Sequence, residues 1–291
     1  MSRQTYSIVF TKMTKLALSL VILFFLQSFV YAQEEQWKAW EVEADTLMDH
    51  QDFEGAIKLY SKVVTESKLS SKENFRSLYK RAIGYYSLGE FDKALKDISL
   101  FIPEYPENYQ AHVLVGLIYR QVGEIDKQLA ALNRAIELQP ENLNLIKWRG
   151  TTLTEKGEYA LAKKDLLVVR ASQDDPELET NLALTYYSLQ QPDSALACIN
   201  KSIELDATYE PAYLYGGSFC LEVERYDLAI KYLNLALLLD PENVNALYYK
   251  GVAFIEQKKT DEGCSYLTKA FKAGQDDAAD YLKEHCYDVF K

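Results

Sequence analysis

One turn-and-helix pattern recurs along the chain at nearly constant intervals. Clear copies are SLGEFDKAL at 87–95, QVGEIDKQL at 121–129 and EKGEYALAK at 155–163. Aligned on a small residue of the second predicted helix, seven repeats begin near Trp37, Phe75, Tyr109, Leu143, Pro176, Glu210 and Val244. The first interval is 38 residues, and every later one is 33 or 34. Such a period indicates stacked supersecondary units, because one unit of this size cannot bury its own apolar face.

The repeats share residue sizes at fixed positions, counted from the first residue of each repeat. Position eight is always small: Ala44, Ala82, Gly116, Gly150, Ala183, Gly217 and Gly251. Position eleven is mostly bulky: Leu47, Tyr85, Tyr119, Leu153, Tyr186, Cys220 and Phe254. Two antiparallel helices approach closely only where side chains are small, and bulky residues fill the space around that contact. Each repeat is therefore predicted to be a helical hairpin.

This pattern resembles the tetratricopeptide repeat, which reads W-x₂-L-G-x₂-Y, then A-x₃-F, then P. The resemblance covers residue 37 to about residue 277. It implies an all-α fold, a right-handed superhelical solenoid of about seven helix-turn-helix repeats within residues 33–277. Residues 278–291 continue the apolar periodicity and are expected to form a capping helix, since a terminal repeat has no neighbour to cover its flank.

Two residues depart from the family pattern. Gln128 stands at position twenty, where a small residue is expected, so we expect the third hairpin to be splayed there. Pro192 replaces the usual aromatic residue just before the second helix of the fifth repeat. Because proline is tolerated in the first turn of a helix, we expect no break at Pro192.

The first 32 residues are predicted to be a cleaved signal peptide. Lys12 and Lys15 precede the uncharged apolar run 16–30, and Val30-Tyr31-Ala32 places small residues at the −3 and −1 positions before Gln33. The sequence leaves open whether translation begins at Met1 or Met13. The apolar run is slightly short of the roughly 20 residues that span a membrane. Export to the periplasm or the medium is therefore expected, and an uncleaved N-terminal membrane anchor is the alternative.

Composition limits the classes of partner. Apolar residues make up 48% of the chain, which excludes a disordered chain. The net charge is −11, and loss of residues 1–32, with three basic residues and no acidic one, makes it −14. Nucleic acid is disfavoured because it binds basic surfaces. The expected partner is a protein or peptide, a homo-oligomer is possible, and no small-molecule substrate is evident.

No catalytic, cofactor-binding or metal-binding motif is present in the sequence. Nucleotide-binding glycine loops, H-E-x-x-H and C-x-x-C are all absent. His50, His112 and His285 fall in different repeats, and a solenoid brings only adjacent repeats together. We therefore predict that the chain is not an enzyme and needs no cofactor or metal.

The four cysteines form two pairs with equal spacing. Cys198 and Cys220 are 22 residues apart, as are Cys264 and Cys286. Four cysteines allow three connectivities, and an exported chain meets an oxidising compartment. The stretch from Cys264 to Cys286 resembles the Cys-to-Cys ending of exported bacterial repeat proteins, and this resemblance favours a Cys264–Cys286 disulfide. Whether Cys198 and Cys220 pair stays open.

The resemblance also implies a binding surface, because positions five, nine and twelve of tetratricopeptide repeats line the concave face. The residues predicted to contact a partner are Tyr79, Ile83, Tyr86, Leu117, Arg120, Lys147, Leu184, Tyr187, Leu214, Leu221, Tyr248 and Val252. A groove for an extended or helical protein segment is expected, in a scaffold of the cell envelope. The alternatives are a face that packs on itself or on a second copy, a structural spacer subunit, and an accessory domain for an envelope enzyme.

Overall fold

The computed structural model describes residues 35–66 and 72–286, with six isolated positions between 21 and 33. All regular structure in these residues is α-helical, which confirms the all-α prediction. Helix α1 contains residues 35–49. The following helices are α2 Phe53–Glu66, α3 Lys72–Ser87, α4 Phe91–Phe101, α5 Tyr109–Gln121, α6 Ile125–Leu138, α7 Leu143–Lys156, α8 Tyr159–Arg170, α9 Pro176–Ser188, α10 Pro192–Leu205, α11 Glu210–Glu222, α12 Tyr226–Leu239, α13 Val244–Glu256, α14 Thr260–Lys272 and α15 Asp277–His285.

The first helices begin where the repeat alignment places them. Helices α5, α7, α9, α11 and α13 start at the predicted repeat starts, and α3 starts three residues before Phe75. Capping explains most of these positions, because Asn108, Asn142, Asp175 and Asn243 each accept a hydrogen bond from a backbone N–H of the following first turn.

Every hairpin turns through a left-handed residue at position fifteen of its repeat. Three of these residues are glycines, but the others are not: Gln51, Gly89, Gly123, Gly157, Gln190, Glu224 and Lys258. The next backbone N–H bonds back to a carbonyl of the first helix, as from Glu90 to Tyr85 at 2.8 Å. This bond satisfies a carbonyl that the helix end leaves unpaired.

The chain forms two compact units, Met1–Leu138 and Gln139–Lys291, and in each the helices pack as antiparallel pairs. Close packing accounts for the small residues at position eight. A Cβ atom added to Gly217 would lie 2.5 Å from Cγ of Leu233, and one added to Gly251 would lie 3.0 Å from the backbone nitrogen of Leu267. Real Cβ contacts essentially never come below 3.0 Å, so α12 and α14 can pack this closely only against glycine.

The expectation for Gln128 is wrong, whereas that for Pro192 is confirmed. Gln128 is only 1% exposed, so α5 and α6 close over its side chain and the third hairpin is not splayed. Pro192 is the first residue of α10, and the helix continues without interruption. A buried amide is compatible with close packing when its polar atoms find partners.

Helix α15 occupies the place expected for a capping helix. Ala278 and Leu282 are fully buried, together with Leu267 of α14.

Cys264 and Cys286 form a disulfide with Cα atoms 5.8 Å apart, whereas Cys198 and Cys220 are buried free thiols. The helix ends at His285, and residues 287–291 lie outside the described part of the chain.

The predicted signal peptide, residues 1–32, lies outside the described residues apart from five isolated positions. In the part of the chain that the structure describes, no helix is both long enough and apolar enough to cross a membrane.

Candidate protein-binding surface

In the first unit, two of the predicted contact residues already pack against neighbouring aromatic rings. Tyr79 stacks on Phe101 with ring centroids 5.0 Å apart, and burial raises the pKa of the Tyr79 phenol. The ring centroids of Tyr86 and Phe91 lie 6.0 Å apart, with the two rings tilted relative to each other. Elsewhere in this unit, Ile83 and Leu117 are half-buried, whereas Arg120 is exposed.

An ion network occupies the corresponding positions of the first repeat. Arg76 donates two hydrogen bonds, of 2.5 and 2.6 Å, to the buried carboxylate of Glu41. Lys80 donates to Asp45 at 2.6 Å, and the hydroxyl of Tyr60 donates to the same carboxylate at 2.5 Å. These bonds connect α1 to α2 and α3, so the charges at positions five and nine of this repeat are used inside the fold.

Lys147, predicted to contact a partner, instead links two repeats of the second unit. Its ammonium lies 2.7 Å from Asp175 and 2.7 Å from Glu177, at the start of α9. Burial opposes ionisation of Asp175, but the hydrogen bond and charge of Lys147 outweigh it and lower the pKa of this carboxyl. The Lys147 side chain is only 22% exposed, so it is not a free cation for a partner.

Hydroxyl and amide groups continue this contact between α7 and α9. Asn181 donates to Thr151 at 3.2 Å, and the hydroxyls of Thr154 and Thr185 lie 2.9 Å apart. Position nine and position twelve of the fourth repeat are therefore also engaged with the next repeat.

Further along the second unit, the first helices present aromatic side chains. Tyr187 of α9 stacks on Phe219 of α11 with centroids 4.3 Å apart and planes 8° apart. Tyr215 lies 6.2 Å from the same Phe219 ring. Phe219 is 4% exposed, whereas both tyrosines are half-buried. Phe219 thus supports two tyrosines that are partly exposed to solvent.

Three more tyrosines extend this array to α15. Tyr248 and Tyr249 of α13 have centroids 5.4 Å apart, and Tyr281 of α15 meets Tyr248 edge-to-face at 6.0 Å. All three are half-buried. We call Tyr187, Tyr215, Tyr248, Tyr249 and Tyr281 the tyrosine surface. The predicted residues Leu184, Leu214 and Leu221 belong to α9 and α11 and are half-buried as well.

Val252 does not belong to this surface. It is 5% exposed and lies in a core cluster with Leu282 and Cys286. The prediction that Val252 contacts a partner is wrong, because the capping segment already packs against it.

Carboxylates lie beside the tyrosine surface. Glu222, Glu256 and Asp277 are exposed, and within the described residues none of them has an ion-pair partner. Burial first, and then the charge of Glu222, raise the pKa of Tyr187. Burial is also the main cause of the raised pKa of Tyr281, with Glu256, Glu284 and Glu222 adding to it.

One buried polar cluster was missed by sequence reasoning. Glu179 is 1% exposed and pairs with Arg170 at 2.8 Å. Beside it, burial and the Glu179 charge raise the pKa of the Cys198 thiol to about 12. A thiol with this pKa is protonated at neutral pH and is a poor nucleophile. The sequence did contain a signal for this cluster, because Glu179 stands at position four of the fifth repeat, where the family pattern has an apolar residue.

The three histidines of the chain are not brought together in the structure. His50 follows α1, His112 belongs to α5 and His285 ends α15. Among the residues that the structure describes, no group of three or more histidine, cysteine or acidic side chains is placed to hold a metal ion.

Family models match most of the repeat region. The Fis1 C-terminal tetratricopeptide repeat matches residues 76–124, and two further tetratricopeptide repeat models match residues 109–142, 180–209 and 221–282. Together they cover more than half of the chain, which belongs to the tetratricopeptide repeat family.

Solved structures agree with the fold. A tetratricopeptide repeat protein from Parabacteroides merdae is 14% identical, with a TM-score of 0.70 over 86% of this chain and 98% of that one. The C-terminal part of a repeat protein from Cytophaga hutchinsonii is 18% identical, with a TM-score of 0.64 over 83% and 99%. PilF from Pseudomonas aeruginosa is 19% identical, with a TM-score of 0.59 over 72% and 97%. Tetratricopeptide repeat proteins are generally non-catalytic scaffolds that bind proteins or peptides, and this chain has that scaffold fold.

Proposed function

We propose that this chain is an exported, non-catalytic scaffold of the cell envelope, which binds a segment of another protein on the tyrosine surface. The observation that carries the proposal is the array of five half-buried tyrosines on α9, α11, α13 and α15. Tyrosine is enriched at protein interfaces because its ring buries a large apolar area while its hydroxyl still bonds to polar groups.

Export is supported by two independent features. The Val30-Tyr31-Ala32 sequence precedes Gln33 as a signal-peptidase site does, and Cys264 and Cys286 are paired. Disulfides persist in oxidising compartments and are rare in the cytosol. N-terminal sequencing of the mature protein is expected to begin at Gln33. A chain that starts at Met1 or Met13 and stays in the membrane after a carbonate wash contradicts this part of the proposal.

The binding proposal is tested by blocking the surface without removing a core contact. Ser218 of α11 lies three residues from Tyr215 and four from Glu222, so it shares their helix face. Ser218→Arg places a long side chain there. The matched control is Ser194→Arg, at an exposed position of the second helix α10. Partners are captured from envelope extract with each tagged protein and identified by mass spectrometry.

The expected result is that the wild-type chain and Ser194→Arg capture the same partner, while Ser218→Arg loses it with an unchanged thermal melt. Retention of the partner by Ser218→Arg contradicts binding at this surface.

A structural spacer subunit is the second candidate function. It is favoured by the ion pairs that connect successive first helices, Glu41 with Arg76 and Lys147 with Asp175, because such contacts restrain neighbouring repeats. One stoichiometric envelope partner that binds wild type and Ser218→Arg equally supports the spacer.

A further inference from the structure

The aromatic rings of this chain fall into two groups. Several rings at position eleven already have a lysine of the same chain over their face. Lys93 lies 5.4 Å from the Tyr85 ring centroid, Lys127 lies 5.4 Å from Tyr119, and Lys163 lies 5.5 Å from Tyr186. Within the described residues, no lysine or arginine lies over any ring of the tyrosine surface.

Several tyrosine hydroxyls outside this surface are bonded within the fold. Tyr60 donates to Asp45, Tyr213 donates to the carbonyl of Ala207 at 3.1 Å, and Tyr232 donates to Asn200 at 2.7 Å. The five hydroxyls of the tyrosine surface have no hydrogen-bond partner within the part of the chain that the structure describes. Half-buried rings with unpaired hydroxyls remain available to an outside group.

Three exposed carboxylates lie beside these rings. Glu222 ends α11, Glu256 ends α13, and Asp277 begins α15. All three are exposed and without an ion-pair partner among the described residues, whereas the nearby Lys283 is paired with Asp280 at 3.1 Å. Aromatic faces next to unpaired carboxylates attract a side chain with an apolar stem and a cationic head.

Resting on the proposed function, we infer that the segment bound at the tyrosine surface is basic, with lysine or arginine side chains lying over the tyrosines and their charges beside Glu222 and Glu256. Charge complementarity selects this occupant among the alternatives. Nucleic acid is repelled by the carboxylates, and a second copy of this chain, with a net charge of −11, is a poor electrostatic match.

The test uses a displayed library of random dodecapeptides, selected against the mature chain from Gln33 to Lys291. Glu222→Gln/Glu256→Gln removes two charges beside the tyrosine surface. Asp261→Asn/Glu262→Gln removes two exposed charges from the start of the second helix α14 and is the matched control. The affinity of the most enriched peptide is measured by fluorescence anisotropy for wild type and both variants.

The expected result is an excess of lysine and arginine over acidic residues among the enriched peptides. The affinity of the best peptide is expected to fall about tenfold in Glu222→Gln/Glu256→Gln and to change less than about twofold in the control. It should also weaken when sodium chloride is raised, because screening acts on exposed charges.

Two results overturn the inference in different ways. Enriched peptides without a basic excess, or equal losses in both variants, overturn the basic character of the ligand; if Ser218→Arg still abolishes their binding, the proposed function stands. A library with no enriched peptide for the wild-type chain counts against the proposed function as well.

Discussion

The first repeat and the fifth repeat contact the next repeat in different ways. In the first unit, Glu41 and Asp45 at positions five and nine are consumed by bonds to Arg76 and Lys80 of the next repeat. In the second unit, Tyr187 at position twelve lies on Phe219 of the next repeat and keeps part of its ring exposed. A charged contact between repeats occupies the polar groups of both side chains, whereas an aromatic contact leaves part of the tyrosine ring exposed.

This difference follows from the geometry of each interaction. A carboxylate is satisfied only when its oxygens are within about 3 Å of donors, so the charged groups must face each other between the repeats. Stacked rings use one face for the contact, and their edges and hydroxyls remain free. The surface that can bind a partner is therefore determined by how successive first helices are joined, and not by repeat position alone.

The largest expected effect concerns the aromatic contact. Phe219→Ala removes a ring that is 4% exposed and supports both Tyr187 and Tyr215, and we expect a loss of about 3–5 kcal/mol in the free energy of unfolding. Phe271→Ala, at a 41% exposed ring of α14, is the matched control and should cost less than about 1 kcal/mol. Urea titrations followed by circular dichroism measure both. Equal losses in the two variants mean that the tyrosine surface is not built on Phe219.

A disulfide next to the same surface gives the second prediction. Cys264→Ser/Cys286→Ser opens the link between α14 and the end of α15, and we expect a loss of about 3 kcal/mol. Hydrogen exchange should accelerate in α15, including Tyr281, and stay unchanged in α3–α5 of the first unit. Reduction of the wild-type protein serves as the control and should reproduce the effect. Unchanged exchange in α15 shows that packing of Leu282 alone holds the cap.

Much of the fold could be predicted from the sequence, because its causes are local. Helix starts follow from capping residues such as Asn108 and Asn142, and hairpin closure follows from the small residue at position eight. The left-handed residue at position fifteen was not predictable at Gln190 or Lys258, since the hairpin imposes this conformation on residues that do not favour it.

The binding surface was harder to predict, because its state depends on contacts between repeats. In the sequence, Lys147 is a cation at a position expected to contact a partner. Only the structure shows that Asp175 and Glu177 lie beside it and pair with its ammonium group. Val252 matches the pattern of a surface position, but the pattern does not say that the capping segment covers it. Tyr215 and Tyr249 were missed because they stand at position six, outside the three positions that the resemblance assigns to the surface.

The charged contact of the first unit gives a smaller expected effect. Glu41→Gln removes the buried charge that Arg76 and Lys80 face, and we expect a loss of about 1–2 kcal/mol. The loss stays below that of a fully buried pair because the Arg76 side chain is 61% exposed and can be hydrated. The matched control is the exposed Glu43→Gln, which should change the stability by less than about 0.5 kcal/mol. If Glu41→Gln is as stable as Glu43→Gln in urea titrations, the network does not hold the first two repeats together.

The smallest expected effect separates charge from capping at the start of α9. Asp175→Asn keeps a good N-cap residue but removes the ion pair with Lys147, so we expect a loss of about 0.5–1 kcal/mol at pH 7. The pKa of Asp175 is lowered in the folded state, so the unfolded state binds the proton more readily as the pH falls. The contribution of the ion pair is thus present above the ordinary carboxyl pKa of 3.8 and is lost as the pH falls below it. The free energies of unfolding of wild type and Asp175→Asn, measured by urea titration, should therefore differ at pH 7 and converge at the lowest pH at which the protein still folds. A difference that persists at low pH assigns the effect to the cap, and the charged contact in this repeat would then contribute nothing measurable.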